Sequence, residues 1–193
     1  MYLYLRVLLL AFMFLLPTWG LPATATAQLV DVHVGAEVFA QGFDRGFGGT
    51  AALQSDRGRM EVSFGHLSLG DLDNSALYGS VRGEVGQSRL RVLGSYALTR
   101  FPDDVQRQRV RVAGLGAIER SGARVRIGGQ AAAGGEMGRF SRKDLGYHYI
   151  DPWFELAASL QLQSFGPRLR LQWSQRGIDN YHPELRVQLW WGM

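Results

Sequence analysis

Apolar and polar residues alternate along almost the whole chain after Gln28, and no window there keeps the apolar spacing of a helix. Alternation with a period of two predicts β-strands that have one apolar and one polar face. The 25 glycines and six prolines fit a β protein with many turns. The pattern predicts ten strands, at residues 29–40, 47–55, 59–69, 75–86, 88–100, 107–119, 123–134, 152–164, 167–176 and 184–193.

The two predicted strand faces differ sharply in chemistry. One face is apolar on every strand, with Val32, Val34 and Val38 in the first and Leu185 and Leu189 in the last, and no charge interrupts it. The opposite face carries Glu37, Glu61, Arg82, Glu84, Arg89, Arg91, Arg109, Arg111, Glu119, Arg124, Arg126, Glu155, Arg168, Arg170, Glu184 and Arg186. We expect these side chains to form one polar network.

Two kinds of connection alternate between the predicted strands. Short ones follow the even strands, at 55–58, 86–87, 121–122 and 165–166, and longer ones follow the odd strands, at 41–46, 70–74, 101–106, 135–151 and 177–183. An even strand count with tight turns at one end and long loops at the other is typical of transmembrane β-barrels of the bacterial outer membrane. The prediction is therefore an all-β, up-and-down antiparallel transmembrane barrel of ten strands, or of eight if two strands fold outside it.

An acceptor and an arginine flank each predicted short turn at the same spacing. Residues five apart around a two-residue turn lie opposite each other on the same face. The expected cross-turn pairs are Gln54 with Arg59, Glu84 with Arg89, Glu119 with Arg124, and Gln163 with Arg168.

Both chain ends carry patterns of export and membrane assembly. Arg6, the apolar run 7–16, Pro17 and the small residues 25–27 predict a cleaved signal peptide over 1–27, which leaves a barrel domain over 28–193. From Leu185 every second residue is apolar up to the end, which resembles the C-terminal strand signal of outer-membrane β-barrel proteins. That family normally ends in an aromatic residue, where this chain has Met193. The resemblance implies an outer-membrane location, contact with membrane lipid and lipopolysaccharide, and recognition by the barrel assembly machinery.

Composition narrows the possible partners. The net charge of +4 is too small to indicate a nucleic-acid partner, and the absence of cysteine excludes disulfides. Lys143 is the only lysine, and the remaining basic residues are arginines, which suit desolvated ion pairs better than lysine does. No cofactor is expected, and His33, His148 and His182 share no spacing typical of metal ligands, so no metal site is expected.

Alternation alone leaves open which face points outward. A soluble periplasmic barrel that binds a lipid would turn the apolar face inward. The arginine-rich polar face favours lipid outside, since charge on a lipid-facing surface is costly. Aromatic residues expected at the two membrane interfaces are Phe47, Phe101, Trp153, Phe154 and Tyr181 at one end and Phe165, Trp190 and Trp191 at the other.

Function follows only coarsely from these patterns. We expect a small monomeric barrel with a charged, largely plugged lumen and a structural or interaction role through its external loops. The loop 135–151, with Arg139, Arg142 and Lys143, is a candidate contact for anionic lipopolysaccharide. The alternative is a lipid A-modifying hydrolase, because His66-Leu67-Ser68 resembles the His-x-Ser element of the outer-membrane lipid A deacylase family, which uses His, Ser and a Glu on the barrel exterior.

Overall fold

The computed structural model describes residues 31–192 except 43, 56–57, 70–74, 88, 103, 123, 143–144, 163–166 and 178–182. The predicted signal peptide over 1–27 lies outside the described residues, as do Lys143, Gln163, Phe165, Tyr181, His182 and Met193. Within the described part of the chain, no helix is long and apolar enough to cross a membrane.

Ten antiparallel strands form one closed barrel, which confirms the predicted fold class. Each strand pairs with its neighbours in sequence, and β1 pairs with β10 to close the barrel, so none of the described strands folds outside it as the eight-strand alternative requires. The strands are β1 (Asp31–Gln41), β2 (Asp44–Ser55), β3 (Gly58–Ser68), β4 (Ser75–Gln87), β5 (Leu90–Arg100), β6 (Val105–Ser121), β7 (Val125–Arg142), β8 (Leu145–Leu162), β9 (Arg168–Arg176) and β10 (Glu184–Gly192).

The ends of the barrel are named here by the strands that meet there. The terminal end holds the start of β1 at Asp31 and the end of β10 at Gly192. The distal end is the opposite one, where β1 is followed by β2 and β9 by β10.

Register keeps the two faces of the strands separate around the whole barrel. Glu61 lies opposite Arg82 on the interior, and the next residue, Val62, lies opposite Val81 on the exterior. Apart from Leu145 and Tyr147 near the distal tip of β8, every exposed large hydrophobic side chain among the described residues lies at an outward position. The described interior instead contains buried charged and amide side chains beside a smaller apolar cluster of Leu93, Ala113, Leu115, Ala132 and Trp153. This is not the apolar ligand cavity that a soluble lipid-binding barrel would have.

The prediction that no charge interrupts the outward face is wrong at the rims. Arg45, Arg100 and Arg139 take outward positions near the distal end, and Arg120 does so near the terminal end. All four side chains are exposed. A rim position lets the long arginine side chain reach beyond an apolar belt, so these charges are tolerated where a central one would be costly.

Two of the predicted long loops are wrong, because strands continue through them. β7 runs to Arg142 and β8 begins at Leu145, so most of the expected loop 135–151 is a β-hairpin, and β1 and β2 likewise reach into the expected loop 41–46. Gly134, which ends the predicted seventh strand, and Gly135, which begins the predicted loop, both lie inside β7. A Cβ at Gly134 would overlap the carbonyl oxygen of Val112, so this glycine permits close packing of two strands instead of a turn.

Candidate functional site

Six buried glutamates dominate the interior of the barrel. They are Glu37, Glu61, Glu84, Glu136, Glu155 and Glu184, each at most 5% exposed. Carboxylates this deeply buried are costly unless cations or hydrogen-bond donors surround them. Every one of them faces at least one arginine side chain from the same or another strand.

The middle of the interior is crossed by a bidentate ion pair. Arg82 of β4 donates from Nη1 and Nη2 to the two carboxylate oxygens of Glu155 of β8, both at 2.7 Å. β4 and β8 are not neighbours in the sheet, so this pair joins separate walls of the barrel. Gln172 donates a further hydrogen bond of 2.9 Å to Glu155, and Arg170 lies 3.7 Å from its other oxygen.

An amide links the middle of the interior to the distal half. The Nε2 of Gln188 donates to Glu61 at 2.6 Å and to Glu37 at 2.9 Å. Glu37 also accepts a 2.6 Å hydrogen bond from the hydroxyl of Tyr78 and a 3.2 Å bond from Arg186. A charged acceptor with several donors of this kind holds its strands in a single arrangement.

The distal half contains a second group of arginines around two glutamates. Glu184 lies 2.8 Å from Arg186 and 3.2 Å from Arg109. Glu136 accepts a 2.6 Å bond from the Nε of Arg111 and a 2.7 Å bond from the hydroxyl of Tyr149.

Pairing is looser toward the terminal end. Glu84 lies 3.0 Å from Arg82 and 3.5 Å from Arg91. Glu119, which is 43% exposed, lies 3.1 Å from Arg126 and 3.8 Å from Arg168.

The structure thus brings together fourteen of the sixteen residues predicted for the polar network. The other two, Arg89 and Arg124, are exposed at the terminal rim and make no ion pair with a described residue.

The register at the turns differs from the predicted cross-turn pairs. Gln54 and Arg59 are opposite each other as expected. Glu84 instead lies opposite Leu93, and Glu119 lies opposite Gly128, so their predicted partners Arg89 and Arg124 are wrong. Each acid pairs with the arginine two positions farther along, Arg91 or Arg126. The residue opposite each acid lies four positions farther along than predicted, and a shift by an even number of residues preserves the face of every side chain, which is why face periodicity could not detect it.

Two of the aromatic residues expected at the membrane interfaces lie inside the barrel. Trp153 and Trp190 are 1% and 2% exposed. Arg111 lies over the ring of Trp153, with its Cζ 4.9 Å from the centroid, and Arg59 lies over Trp190 at 4.7 Å. Their interior position follows from strand parity, which places every second residue inside and outweighs the interfacial preference of the indole ring. Phe47, Phe154 and Trp191 are outward and exposed.

Sequence reasoning missed several interior residues. Glu136 falls in the predicted loop 135–151, but its position continues the inward parity of β7. Arg59 was considered only for its turn, yet it lies 3.2 Å from Glu61. Extending the alternation through 135–142 would have identified Glu136 as an interior carboxylate.

His66 and Ser68 occupy outward positions on β3, near the distal end, as their parity predicts. His66 lies opposite Phe47 on one side and Leu77 on the other, with its ring centroid 5.8 Å from that of Phe47. Neither side chain makes a hydrogen bond to a described residue, and Glu84 lies on the interior face. The described residues therefore provide no acid to orient His66, which a His-Ser catalytic arrangement requires.

Metal ligands are likewise not clustered. In the part of the chain that the structure describes, no group of three or more His, Asp or Glu side chains is positioned to hold a metal ion.

Comparisons with known proteins give structural neighbours only. No protein-family model matches the sequence, and no curated protein matches it. The chain is similar to the N-terminal β-barrel domain of Pseudomonas aeruginosa OprF, with 10% identity and a TM-score of 0.37 over 84% of this chain and 97% of that one. It is also similar to Ail, the attachment invasion locus protein of Yersinia pestis, solved in complex with the heparin analogue sucrose octasulfate, with 12% identity and a TM-score of 0.39 over 84% and 95% of the two chains.

Proposed function

We propose that this chain is a small outer-membrane β-barrel protein with a closed, ion-paired lumen, acting as a structural or interaction protein through its distal hairpins. The observation that carries the proposal is the distribution of exposed apolar side chains. Val38, Val112, Ile118, Leu156 and Leu185 are 50% or more exposed, and all are outward. An apolar surface that encircles a barrel is unfavourable in water. The same surface is favourable in contact with the hydrocarbon chains of a lipid bilayer.

Several ion pairs support a closed lumen. The bidentate Arg82–Glu155 pair joins two non-neighbouring strands, and Arg170 lies 3.4 Å from Glu61 between β9 and β3. The diameter of a barrel grows with its number of strands, and porins need ~16 to 18 strands to leave an aqueous channel. A ten-stranded barrel is much narrower, so paired arginine and glutamate side chains are sufficient to fill it. We therefore expect only background ion conductance.

The distal rim is the part of the barrel best suited to a partner. Arg45, Arg100 and Arg139 are exposed there, and the β7–β8 hairpin projects beyond the end of β9, because β8 begins at Leu145 and its pairing with β9 begins only at Trp153. Guanidinium groups at this position fit the phosphates of lipopolysaccharide, which occupies the outer leaflet. The terminal end would then face the periplasm, and β10 would present the signal for the barrel assembly machinery. We propose a monomer, since the barrel closes on itself.

Fractionation and gel mobility test this proposal together. The full-length protein should sediment with outer membranes, require detergent for extraction, and migrate faster on a gel unheated than boiled. In planar bilayers it should show no steady conductance, while the double variant Arg82→Ala/Glu155→Ala, which removes the central pair without leaving a lone charge, should raise conductance. Extraction into buffer without detergent would refute the membrane location, and steady conductance by the unmodified protein would refute the closed lumen.

A further inference from the structure

A polar cavity at the terminal end of the barrel is lined by four arginines and one acid. This arginine cavity has a volume of about 210 Å³ and contains Arg59, Arg89, Arg91 and Arg168. Its acid, Glu119, is 43% exposed and already lies 3.1 Å from Arg126 outside the cavity. Glu119 also lies 3.8 Å from Arg168, and two acids outside the lining lie near the other arginines, Glu61 at 3.2 Å from Arg59 and Glu84 at 3.5 Å from Arg91. Arg89 has no such partner among the described residues, so positive charge exceeds negative charge among the residues that line the cavity.

Two of these arginines have unused donors. The side chain of Arg59 is only 10% exposed, and its Nε has no hydrogen-bond partner. The Nε of Arg91 is also buried without a partner. Most buried polar groups in folded proteins have a hydrogen-bond partner. A ligand rich in oxygen acceptors would provide one for these two donors. A phosphate group has the geometry that guanidinium groups bind best.

An apolar trough lies on the outside of the barrel next to this cavity. The outer trough has a volume of about 700 Å³. One row of paired residues crosses it from strand to strand: Leu90, Gly116, Ala131, Leu156, Trp173 and Leu185. Gly116 and Ala131 form a low floor, and the larger side chains form its walls. The row runs obliquely, because Leu90 starts β5 at the terminal end and Leu185 lies near the distal start of β10.

The two spaces share four lining residues at the terminal rim, and this part of the rim is called the junction. Arg89, Ala117, Ile118 and Gln130 line both the arginine cavity and the outer trough. β6 continues to Ser121, past Gly116, where its pairing with β5 ends. The backbone bond from Ala117 N to the carbonyl oxygen of Arg89, 2.8 Å long, is the contact at this junction.

We propose that this junction binds one phospholipid, with its phosphate in the arginine cavity and one acyl chain along the outer trough. Both halves of such an amphiphile find complementary surroundings: oxygen acceptors meet guanidinium donors, and a hydrocarbon chain covers the apolar trough. The inference rests on the proposed membrane location, which places phospholipid at the terminal end of the barrel.

Native mass spectrometry of the full-length barrel in detergent, titrated with phosphatidylglycerol, tests the site. Arg89→Gln should weaken lipid binding roughly tenfold, the effect of losing one charge-assisted hydrogen bond. Gly116→Leu should fill the trough and so abolish lipid retention. The barrel should tolerate this change, because a Cβ at this position meets only the carbonyl oxygen of Ala131, at 3.8 Å. Two controls match these changes: Arg124→Gln alters another exposed rim arginine, and Gly94→Leu adds the same side chain where a Cβ meets nothing within 4 Å. Neither control residue lines the trough or the cavity.

The outcomes separate the sources of a phosphate. One tightly held lipid that Arg89→Gln binds about tenfold more weakly, that Gly116→Leu does not retain and that both controls keep supports the proposal. Equal lipid retention by all variants overturns it, since that is nonspecific annular lipid. Loss in Arg89→Gln alone, together with competition by inorganic phosphate, overturns it in favour of a site for a free anion. Loss in Gly116→Leu alone overturns the headgroup assignment. A barrel that stays in the membrane fraction but retains no lipid refutes this inference while leaving the proposed function intact.

Discussion

The central pair of Arg82 and Glu155 offers the most direct test of how the interior stabilises the barrel. Replacing Glu155 by Gln keeps the shape of the side chain and removes the charge that meets both Nη atoms at 2.7 Å. Both partners are buried, with side chains 11% and 1% exposed. Breaking a buried pair by removing one partner costs about 3 to 5 kcal/mol. Because Arg82 keeps Glu84 at 3.0 Å, we expect the lower limit, about 3 kcal/mol.

A double-mutant cycle isolates the interaction across the lumen. Arg82→Met should also cost about 3 kcal/mol, since Glu155 then keeps only Gln172 and the more distant Arg170. The double variant should lose about 4 kcal/mol instead of the sum, which gives a coupling energy of about 2 kcal/mol. Equilibrium unfolding in urea, with the protein folded into lipid vesicles, measures all four free energies of unfolding.

An exposed ion pair in the same barrel provides the control. Arg100 and Asp104 lie 3.8 Å apart with side chains 55% and 74% exposed. Asp104→Asn should change the free energy of unfolding by less than about 1 kcal/mol, because water screens such pairs. Asparagine also tolerates the positive φ of 59° at this position. Additive effects of the two central variants, or a Glu155→Gln cost as small as that of Asp104→Asn, would refute the argument that the pair holds the walls together.

Three further substitutions test the two faces and the packing between strands. Val112→Arg, at an outward position that is 60% exposed, should destabilise the vesicle-inserted barrel by ~2 to 4 kcal/mol while Val112→Leu stays neutral; equal stability of the two in urea titrations would contradict lipid contact. Gly65→Ala should cost ~1 to 3 kcal/mol, because a Cβ there meets the neighbouring backbone and the ring of Tyr78, whereas Gly94→Ala has open space and should be near neutral by the same titration. Tyr78→Phe removes the 2.6 Å hydrogen bond to Glu37 and should cost ~1.5 to 3 kcal/mol; a thermal unfolding midpoint equal to that of the unmodified barrel would show that the bond is unimportant.

Much of the barrel was predictable because a strand reports its faces locally. Val62 and Glu61 are adjacent in the sequence and therefore lie on opposite faces, whatever the rest of the chain does. The same local rule predicted the outward position of His66 and the interior position of Arg170. The prediction is wrong at Gly135, where composition indicates a turn but the alternation, and β7 with it, continues.

The sequence by itself therefore determined the parity of each strand and the chemistry of the two surfaces, since both depend on a repeat of two residues. It left open whether ten strands or eight form the barrel, and the closed pairing of all ten decided this. Only the tertiary structure decided which charges meet. Arg82 and Glu155 are 73 residues apart, and their contact depends on how ten strands close into one barrel. The tertiary structure also decided that Glu84 pairs with Arg91 and not with Arg89. These two arginines lie two residues apart on the same face, so the alternation of apolar and polar residues cannot distinguish them.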